Sequence, residues 1–240
     1  MMLLRNQASL RFSFFRENPW RLLWSVLAAV LIAINWLVFV WSIQSKQVLE
    51  SSLGYFITPL MSVALGVFVL RERLSVLQWF AVGLAATGVA FIAIRLGYFP
   101  YLALTLASSF AVYGIVKKRA PLAALPGLWL ETTILLIPAL TFLFLQEHGS
   151  FTTIDRRTDL WIMSSGPVTT LPLLLFAYGA QRIPLSQLGL LQYIAPSIQF
   201  LVGWLALGES VSTDRWIGFI CVWLGLLVFA IANVRTASKI

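Results

Sequence analysis

The sequence predicts an all-α, polytopic membrane protein with eight transmembrane helices. Of its 240 residues, 60% are hydrophobic and 11% are charged, and the mean hydropathy is +0.88. Soluble domains contain about a quarter charged residues, so the main solvent of this chain is lipid. Apolar runs of near-spanning length recur along the chain, and a helix needs about 20 such residues to cross the hydrocarbon core.

Eight apolar runs bounded by charge or proline are the candidate spans. They are 22–41, 53–70, 77–94, 100–116, 125–145, 160–178, 187–207 and 217–234. The longest connection, 146–159, has no room for a soluble catalytic domain. No phosphate loop, nucleophile elbow or zinc-protease motif is present, and the single cysteine, Cys221, excludes a disulfide within the chain. We therefore predict that the protein is not an enzyme and uses no cofactor or metal.

The basic residues predict how the chain lies in the membrane. Although the net charge is +8, the lysines and arginines form short clusters between apolar runs, so nucleic acid is not expected as a partner. Counting them on alternate sides places 12 of the 17 on the side that holds both termini. Cytoplasmic loops are enriched in Lys and Arg, so both termini are predicted to be cytoplasmic. The lipid bilayer is the expected partner, and these patterns leave the oligomeric state open.

An internal repeat relates two parts of the chain. A shift of 137 residues aligns 23–94 with 160–231 without a gap, and 16 of the 72 positions are identical. The matched residues include the uncommon pairs Trp24/Trp161, Pro59/Pro196, Gly66/Gly203, Glu72/Glu209 and Trp79/Trp216. Five predicted spans separate each helix from its counterpart, and because five is odd, matching helices are expected to cross in opposite directions. This is an inverted-topology repeat, the architecture of alternating-access transporters.

The two copies of the repeat differ in length. The second copy has five predicted helices, from about 100 to 234, whereas the first copy has only the three in 22–94. We therefore expect a 5+5 inverted-repeat, ten-helix fold whose first two helices are missing from this chain. On this basis 1–99 is an incomplete first repeat, three helices after a basic N-terminal segment, and 100–240 is a complete second repeat.

Several strings of the sequence are typical of one transporter family. They are NWLVFVWSIQSKQVLESSLGYFITPLMSVALG, LRERLSVLQW, KKRAPLAALPGLWLET, LPLLLFAYGAQRIPLSQLGLLQYIAPSIQFLVG and GES. On these strings the chain resembles the RarD branch of the EamA family, within the drug/metabolite transporter superfamily. The resemblance implies a ten-helix inverted-repeat transporter of the bacterial inner membrane.

The predicted function is secondary transport, with export of a small organic metabolite or drug-like solute by alternating access. The alternative is a truncated, non-transporting membrane fragment or a membrane scaffold.

Polar and aromatic residues inside the spans are candidates for solute contact, because polar groups in hydrocarbon are costly unless they face a partner or a cavity. Asn35 lies about two thirds of the way along the first span, where it either faces a cavity or forms a hydrogen bond between helices. Tyr55 and Gln192 occupy matching positions of the two copies. The predicted substrate-binding residues are Asn35, Trp36, Tyr55, Gln192, Tyr193 and Gln199.

Two prolines and one carboxylate complete the predicted transport machinery. Pro59 and Pro196 are predicted to break their helices at matching positions, which in inverted repeats indicates a binding site, and the alternative is a simple packing kink. Glu131 is the acidic residue that lies clearly inside a predicted span. It is predicted either to exchange protons as the coupling residue or to have a structural or interfacial role.

Two further glutamates lie at the ends of the second span. Glu50 begins this span, where its charge suits the positive end of the helix dipole. Glu72 follows the span and is expected to structure the loop, with a gating contact as the alternative.

Overall fold

A computed structural model describes residues 19–95, 97–145, 156–206 and 213–237. All regular secondary structure in these residues is helical. The helices are α1 (Pro19–Gln44), α2 (Val48–Phe68), α3 (Val76–Arg95), α4 (Tyr101–Arg119), α5 (Ala124–Leu145), α6 (Arg156–Ala180), α7 (Leu185–Leu191), α8 (Ile194–Leu201) and α9 (Thr213–Ala237). A π-helical turn, Val202–Ala206, follows α8.

Six of the described helices are long and apolar enough to cross a membrane, judged by length and composition. They are α1, α2, α3, α5, α6 and α9. The predicted span 100–116 forms α4, which does not meet these limits and ends in Lys117, Lys118 and Arg119. Large apolar side chains are exposed along α5 and α6, as expected for surfaces in contact with lipid. The chain is therefore a multi-pass helical membrane protein.

The predicted span 187–207 is not one uninterrupted helix, because the chain forms a turn at Gln192–Tyr193, shortly before Pro196. Pro196 has no N–H to donate to the Gln192 carbonyl, which would be its partner in a regular helix. That carbonyl accepts the Ala195 N–H at 3.3 Å instead, and the Tyr193 N–H donates to the Leu190 carbonyl at 3.1 Å. The tighter turns end α7 at Leu191, and α8 begins at Ile194.

The predicted break at Pro59 does not form, since α2 is continuous from Val48 to Phe68. A proline removes one hydrogen bond from a helix, and neighbouring helices can compensate for this loss in membrane proteins. Pro59 is fully buried, and Gly189 of α7 lies against its carbonyl and against Ser62. Packing on α7 therefore supports the helix where the proline weakens it.

The chain divides into two compact units. The first unit comprises the residues up to Ala33 together with Val116–Arg182, and the second comprises Ile34–Ile115 together with the residues from Ile183 onward. In the first unit, the Gln181 side-chain amide donates to the Leu122 carbonyl at 2.8 Å. This bond ties the end of α6 to the loop between α4 and α5.

Helices α3 and α9 form the closest helix pair of the second unit, and they run antiparallel. Gln78 near the start of α3 bonds Asn233 near the end of α9, and Arg95 at the end of α3 lies 3.2 Å from Asp214 at the start of α9. Between these contacts the backbones approach at glycines: a Cβ on Gly88 would lie 2.8 Å from the Gly218 carbonyl oxygen. A Cβ on Gly225 would lie 2.8 Å from the Ala81 carbonyl oxygen. Small residues are required at such crossings.

Helices α2 and α7 form a second antiparallel pair in the same unit. Glu72, just after α2, contacts the first residues of α7, whereas Phe56 in the middle of α2 contacts Tyr193 just after α7. Leu53, Phe56 and Val63 of α2 join Leu190 and Tyr193 in the apolar core, together with buried residues of α3 and α9. The interrupted helix is thus held against a continuous one.

Candidate solute-binding and coupling site

Asn35 forms hydrogen bonds between helices. Its side-chain amide donates to the Leu106 carbonyl at 2.9 Å and to Ser109 Oγ at 3.0 Å, both in α4. The second acceptor belongs to a buried hydroxyl, which itself bonds the Leu106 carbonyl at 3.1 Å. This is the interhelical role that the sequence left open for Asn35, and it fixes α1 against α4 at the depth of the predicted site.

Trp36 and Tyr55 belong to one row of aromatic rings. Phe39, one turn after Trp36 on α1, lies 6.4 Å from the Trp36 ring and 5.8 Å from the Tyr55 ring, in edge-to-face geometry both times. Trp36 and Tyr55 remain 43% and 45% exposed, so their outer surfaces are available to a solute or to lipid. The structure therefore links two predicted residues, Trp36 and Tyr55, through the ring of Phe39, which was not among the predicted residues.

Gln192 lies at the interruption between α7 and α8, and its Nε2 is buried without a hydrogen-bond partner. The Oγ of Ser62, on the face of α2 that packs against Gly189, is also buried without a partner. Each unpaired buried polar atom costs about 1–3 kcal/mol. Two such atoms beside one helix interruption are the feature expected of a site completed by a solute or by water. The Gln199 side chain lies outside the described residues.

The Tyr193 hydroxyl has a hydrogen-bond partner, unlike Gln192 Nε2. Its ring is 0% exposed, and its hydroxyl donates to the Phe56 carbonyl at 3.0 Å. Tyr193 therefore binds the α2 backbone, and a solute would need to displace this contact to reach the hydroxyl. Phe56 and Tyr193 are also counterparts under the 137-residue shift.

Glu131 forms a buried ion pair in the first unit. Its Oε1 lies 2.6 Å from Lys117 Nζ, and the side chains are only 3% and 1% exposed. Gly127, one turn before Glu131, provides the space, because a Cβ there would lie 3.2 Å from Lys117 Nζ. A paired carboxylate can be kept ionised inside a membrane protein at much lower cost than an isolated one. Glu131 is thus a fully buried charge with a matched partner.

Glu50 and Glu72 each bond the start of a neighbouring helix. Glu50, buried at the start of α2, accepts the Leu102 N–H of α4 at 2.7 Å. The first N–H groups of a helix have no partner within it, so this carboxylate satisfies one of them. Partial burial, and then the charge of Glu50 and a hydrogen bond to it, raise the pKa of Tyr98 in the loop before α4.

Glu72 makes the more extensive of the two contacts. Its carboxylate accepts the Leu185 N–H at 2.6 Å, the Ser186 N–H at 2.9 Å and the Ser186 hydroxyl at 2.7 Å. Pro184 precedes these residues and has no side-chain acceptor to cap α7 itself. A Cβ on Gly66 would lie 2.6 Å from Glu72 Oε2, so only glycine leaves room for the carboxylate. We call this set of bonds the Glu72 contact.

Among the described residues, no group of three or more His, Cys, Asp or Glu side chains is placed to hold a metal ion. The polar groups identified above can instead donate and accept hydrogen bonds and exchange charge. These are the interactions that recognise an organic solute.

Comparison with known proteins identifies the family. The model of the EamA-like transporter family matches residues 2–94 and 99–231. The chain belongs to the EamA-like transporter family. Its similarity to RarD proteins agrees with the predicted branch: it is 42% identical to Protein RarD of Streptomyces exfoliatus over 235 residues, which cover 95% of this chain and 75% of that protein.

Other EamA-like relatives are similarly close. The chain is 45% identical to the uncharacterized transporter YojE of Bacillus subtilis, covering 89% of this chain and 72% of that one. It is 38% identical to Protein RarD of Escherichia coli, covering 93% and 76%. One solved crystal structure superposes with a TM-score of 0.66 over 94% of this chain and 82% of its own, at 18% identity, which shows a shared fold.

Sequence reasoning missed two partners in this EamA-like chain. Lys117 was counted among the loop charges, although a carboxylate inside a span needs a cation, and Lys117 directly follows the preceding predicted span, 100–116. The role of Phe39 was also missed, although the repeat matches it with Phe176. The target of Glu72 could not be deduced, because it lies 113 residues away in the chain.

Proposed function

We propose that this EamA-like chain is a secondary transporter that exports a small organic solute by alternating access. One observation supports this proposal most directly: the contacts between α3 and α9 are reciprocal. The 137-residue shift relates Gly88 to Gly225 and Ala81 to Gly218. Gly88 lies against Gly218, and Gly225 lies against Ala81, so each contact has its counterpart in the other copy. Antiparallel counterparts with reciprocal contacts are what an inverted repeat requires.

The pair formed by α2 and α7–α8 supports the same architecture. Phe56 and Tyr193 are counterparts that touch each other, so a local two-fold axis passes near them. The two copies are not identical here, because α2 is continuous and its counterpart is interrupted. In an alternating-access transporter, unequal conformations of matched segments are exchanged between the two end states. The unequal pair is therefore consistent with one such state.

Solute binding is proposed at the second unit, where Asn35, Trp36, Tyr55 and Gln192 provide amide and aromatic groups. Such groups suit amphipathic or zwitterionic metabolites. Tyr193 and the backbone of Gln199 lie along the same interrupted segment. Here Tyr193 is proposed to shape the site by holding α2, with its hydroxyl on Phe56.

Export can be tested by comparing the solutes that bacteria release with and without this chain. Mass spectrometry of the medium should reveal at least one small organic solute enriched by expression. Asn35→Leu and Gln192→Leu should each abolish this enrichment at normal membrane abundance. Thr87→Val is the matched control, because the exposed Thr87 hydroxyl bonds only the Gly83 carbonyl of its own helix among the described contacts. Release that survives both substitutions, or no solute that differs, would contradict the proposal.

Glu131 is proposed as the coupling residue, with Lys117 as its counter-charge in the state described here. When the pair separates, a proton can replace Lys117 in neutralising the carboxylate, so uptake of one proton is linked to one conformational change. A proton moving across the membrane provides about 2.3 kcal/mol per 100 mV. Glu131→Gln should therefore abolish uphill transport in vesicles yet leave solute exchange between preloaded compartments largely intact. Uphill transport with an unchanged pH profile would assign the pair a structural role.

The inner membrane of a bacterium is the proposed location, with both termini of this chain cytoplasmic. The charge asymmetry still supports this orientation when the buried Lys117 is left out of the count. Alkaline phosphatase fused after Ile240 should be inactive, and a green fluorescent protein fused there should be bright. An active phosphatase fusion would reverse the assignment.

A further inference from the structure

We propose that Glu72 is a positioning residue for transport: the Glu72 contact holds α7 against α2 in this state and is released when the two helices separate. This inference rests on the proposed function, and it assigns a role to a residue outside the predicted binding site. Of the two roles that the sequence left open for Glu72, it favours the gating contact.

The Glu72 contact concentrates three hydrogen bonds on one carboxylate. Two of them satisfy the first N–H groups of α7, which Pro184 cannot cap, and the third engages the Ser186 hydroxyl. Hydrogen bonds to a charged acceptor are about twice as strong as neutral ones. With seven residues, α7 is a short rigid piece, so fixing its first turn also fixes Gln192 at its other end.

The location of Glu72 makes this contact releasable. Glu72 is partly exposed to water, whereas Glu50 at the other end of α2 is 1% exposed. When the Glu72 contact breaks, water can solvate both the carboxylate and the freed N–H groups, which lowers the cost of separation. Glu50 has no such compensation, so its bond to α4 is expected to persist through the cycle.

The packing of α2 shows which end is closed. Helix α2 packs closely along α7, where Gly189 lies against Pro59 and Ser62, but makes few contacts with α8 beyond Tyr193. Helix α2 is therefore tightly packed from the end where Glu72 lies as far as Tyr193, and its packing is sparse along α8. In alternating access, the end of a helix pair that is closed in one state opens in the other. The Glu72 contact is a polar interaction that holds this end of the α2–α7 pair closed.

The test measures the separation of α2 and α7 without any solute. The native cysteine is removed by Cys221→Ala, and spin labels are attached through Phe68→Cys and Leu191→Cys, at exposed ends of the two helices. Double electron–electron resonance in lipid nanodiscs should give one main distance for the otherwise wild-type chain. Glu72→Gln should raise the population of a longer distance about tenfold, as expected for weakened hydrogen bonds to a charged acceptor. Ser186→Ala, which removes one bond, should raise it about threefold.

Glu50→Gln is the matched control, because it also removes a carboxylate that bonds the start of a neighbouring helix. It should lower the thermal stability without adding the longer distance. An unchanged distance distribution in both Glu72→Gln and Ser186→Ala would overturn the proposal, as would the same longer distance in Glu50→Gln. Because no solute is used, this failure is distinct from failure of the release assay, which bears on transport itself.

Discussion

The two ends of α2 each place a glutamate against the start of another helix, yet their surroundings differ. Glu50 is buried and accepts one backbone N–H, whereas Glu72 is partly exposed and accepts three hydrogen bonds. Judged by the number of hydrogen bonds, the Glu72 contact should be the more costly to break, whereas judged by burial it should be the Glu50 contact. Burial decides the cost of losing a polar contact, because water replaces a lost bond only where it can enter. On this basis we expect the buried contact to persist and the more extensive one to break.

The buried ion pair of Lys117 and Glu131 extends this comparison, and the largest effect is expected there. Lys117→Met leaves the Glu131 carboxyl group without its counter-charge in a site that is only 3% exposed. We expect the free energy of unfolding to fall by about 3–5 kcal/mol, measured by reversible unfolding in mixed detergent micelles. The double variant Lys117→Met/Glu131→Leu should recover most of this loss, since both charges are then absent. A double variant as unstable as the single one would show that the pair stabilises through its geometry and not its charge balance.

The direct comparison uses the same substitution at both ends of α2. Glu50→Leu should destabilise the protein by about 2–3 kcal/mol, because the Leu102 N–H is left buried and unpaired. Glu72→Leu should cost only about 1 kcal/mol, although it removes more hydrogen bonds, since water can replace them. Both values come from the same unfolding assay. If Glu72→Leu proves the more damaging variant, the number of bonds outweighs burial and the comparison is wrong.

Gly66→Ala tests the Glu72 contact by crowding the carboxylate that accepts its hydrogen bonds. The added Cβ would lie 2.6 Å from Glu72 Oε2 and 3.0 Å from the Ser186 N, so the carboxylate or the start of α7 must shift away from residue 66. We expect about 1–2 kcal/mol of destabilisation from this overpacking. Gly83→Ala is the control, because nothing lies within 4 Å of its Cβ position and alanine favours helices. Equal effects of the two substitutions would mean that helix propensity, and not the Glu72 contact, is being measured.

The smallest effect is expected at an ion pair that water surrounds. Arg95 and Asp214 lie 3.2 Å apart, with side chains 61% and 39% exposed. Exposed pairs contribute about 0–1 kcal/mol, so Arg95→Gln should change stability by less than about 1 kcal/mol. Its effect should also vanish in 1 M salt, where charges are screened within about 3 Å. A loss comparable to that of Lys117→Met would show that exposure is a poor guide to the strength of these contacts.

The helical class and most helix positions could be predicted from the sequence, because the hydrocarbon core demands long apolar runs. The exact position of the interruption within 187–207 could not be predicted, for a physical reason. Apolar composition measures affinity for lipid, whereas the interruption at Gln192–Tyr193 depends on the missing N–H of Pro196 and on packing against α2. Pro59 is the converse case, in which packing preserves a helix that the proline alone would weaken.

The candidate site was harder to predict, since its polar groups find partners far away in the chain. Asn35 bonds residues 71 and 74 positions later, and Glu72 bonds residues 113 and 114 positions later. Sequence could identify these residues as costly in a membrane, but which acceptor each would meet depends on how the helices pack. The pairing of Glu131 was also missed, although Lys117 lies only 14 positions before it, in the last turn of the preceding helix.

The short length of α7 has a consequence for where the chain can move within the bilayer. Seven residues rise about 10 Å, roughly a third of a hydrocarbon core about 30 Å thick. A membrane span that starts with α7 therefore reaches its turn at Gln192–Tyr193 well before it has crossed the hydrocarbon core, and acyl chains have no groups to pair with a free carbonyl or N–H. The turn can bend only toward protein or an aqueous space, and α8 is already tied on that side by the bond from Trp223 Nε1 to Ser197 Oγ. The cost of placing unpaired backbone N–H and carbonyl groups in hydrocarbon thus limits the directions in which α7 and α8 can move.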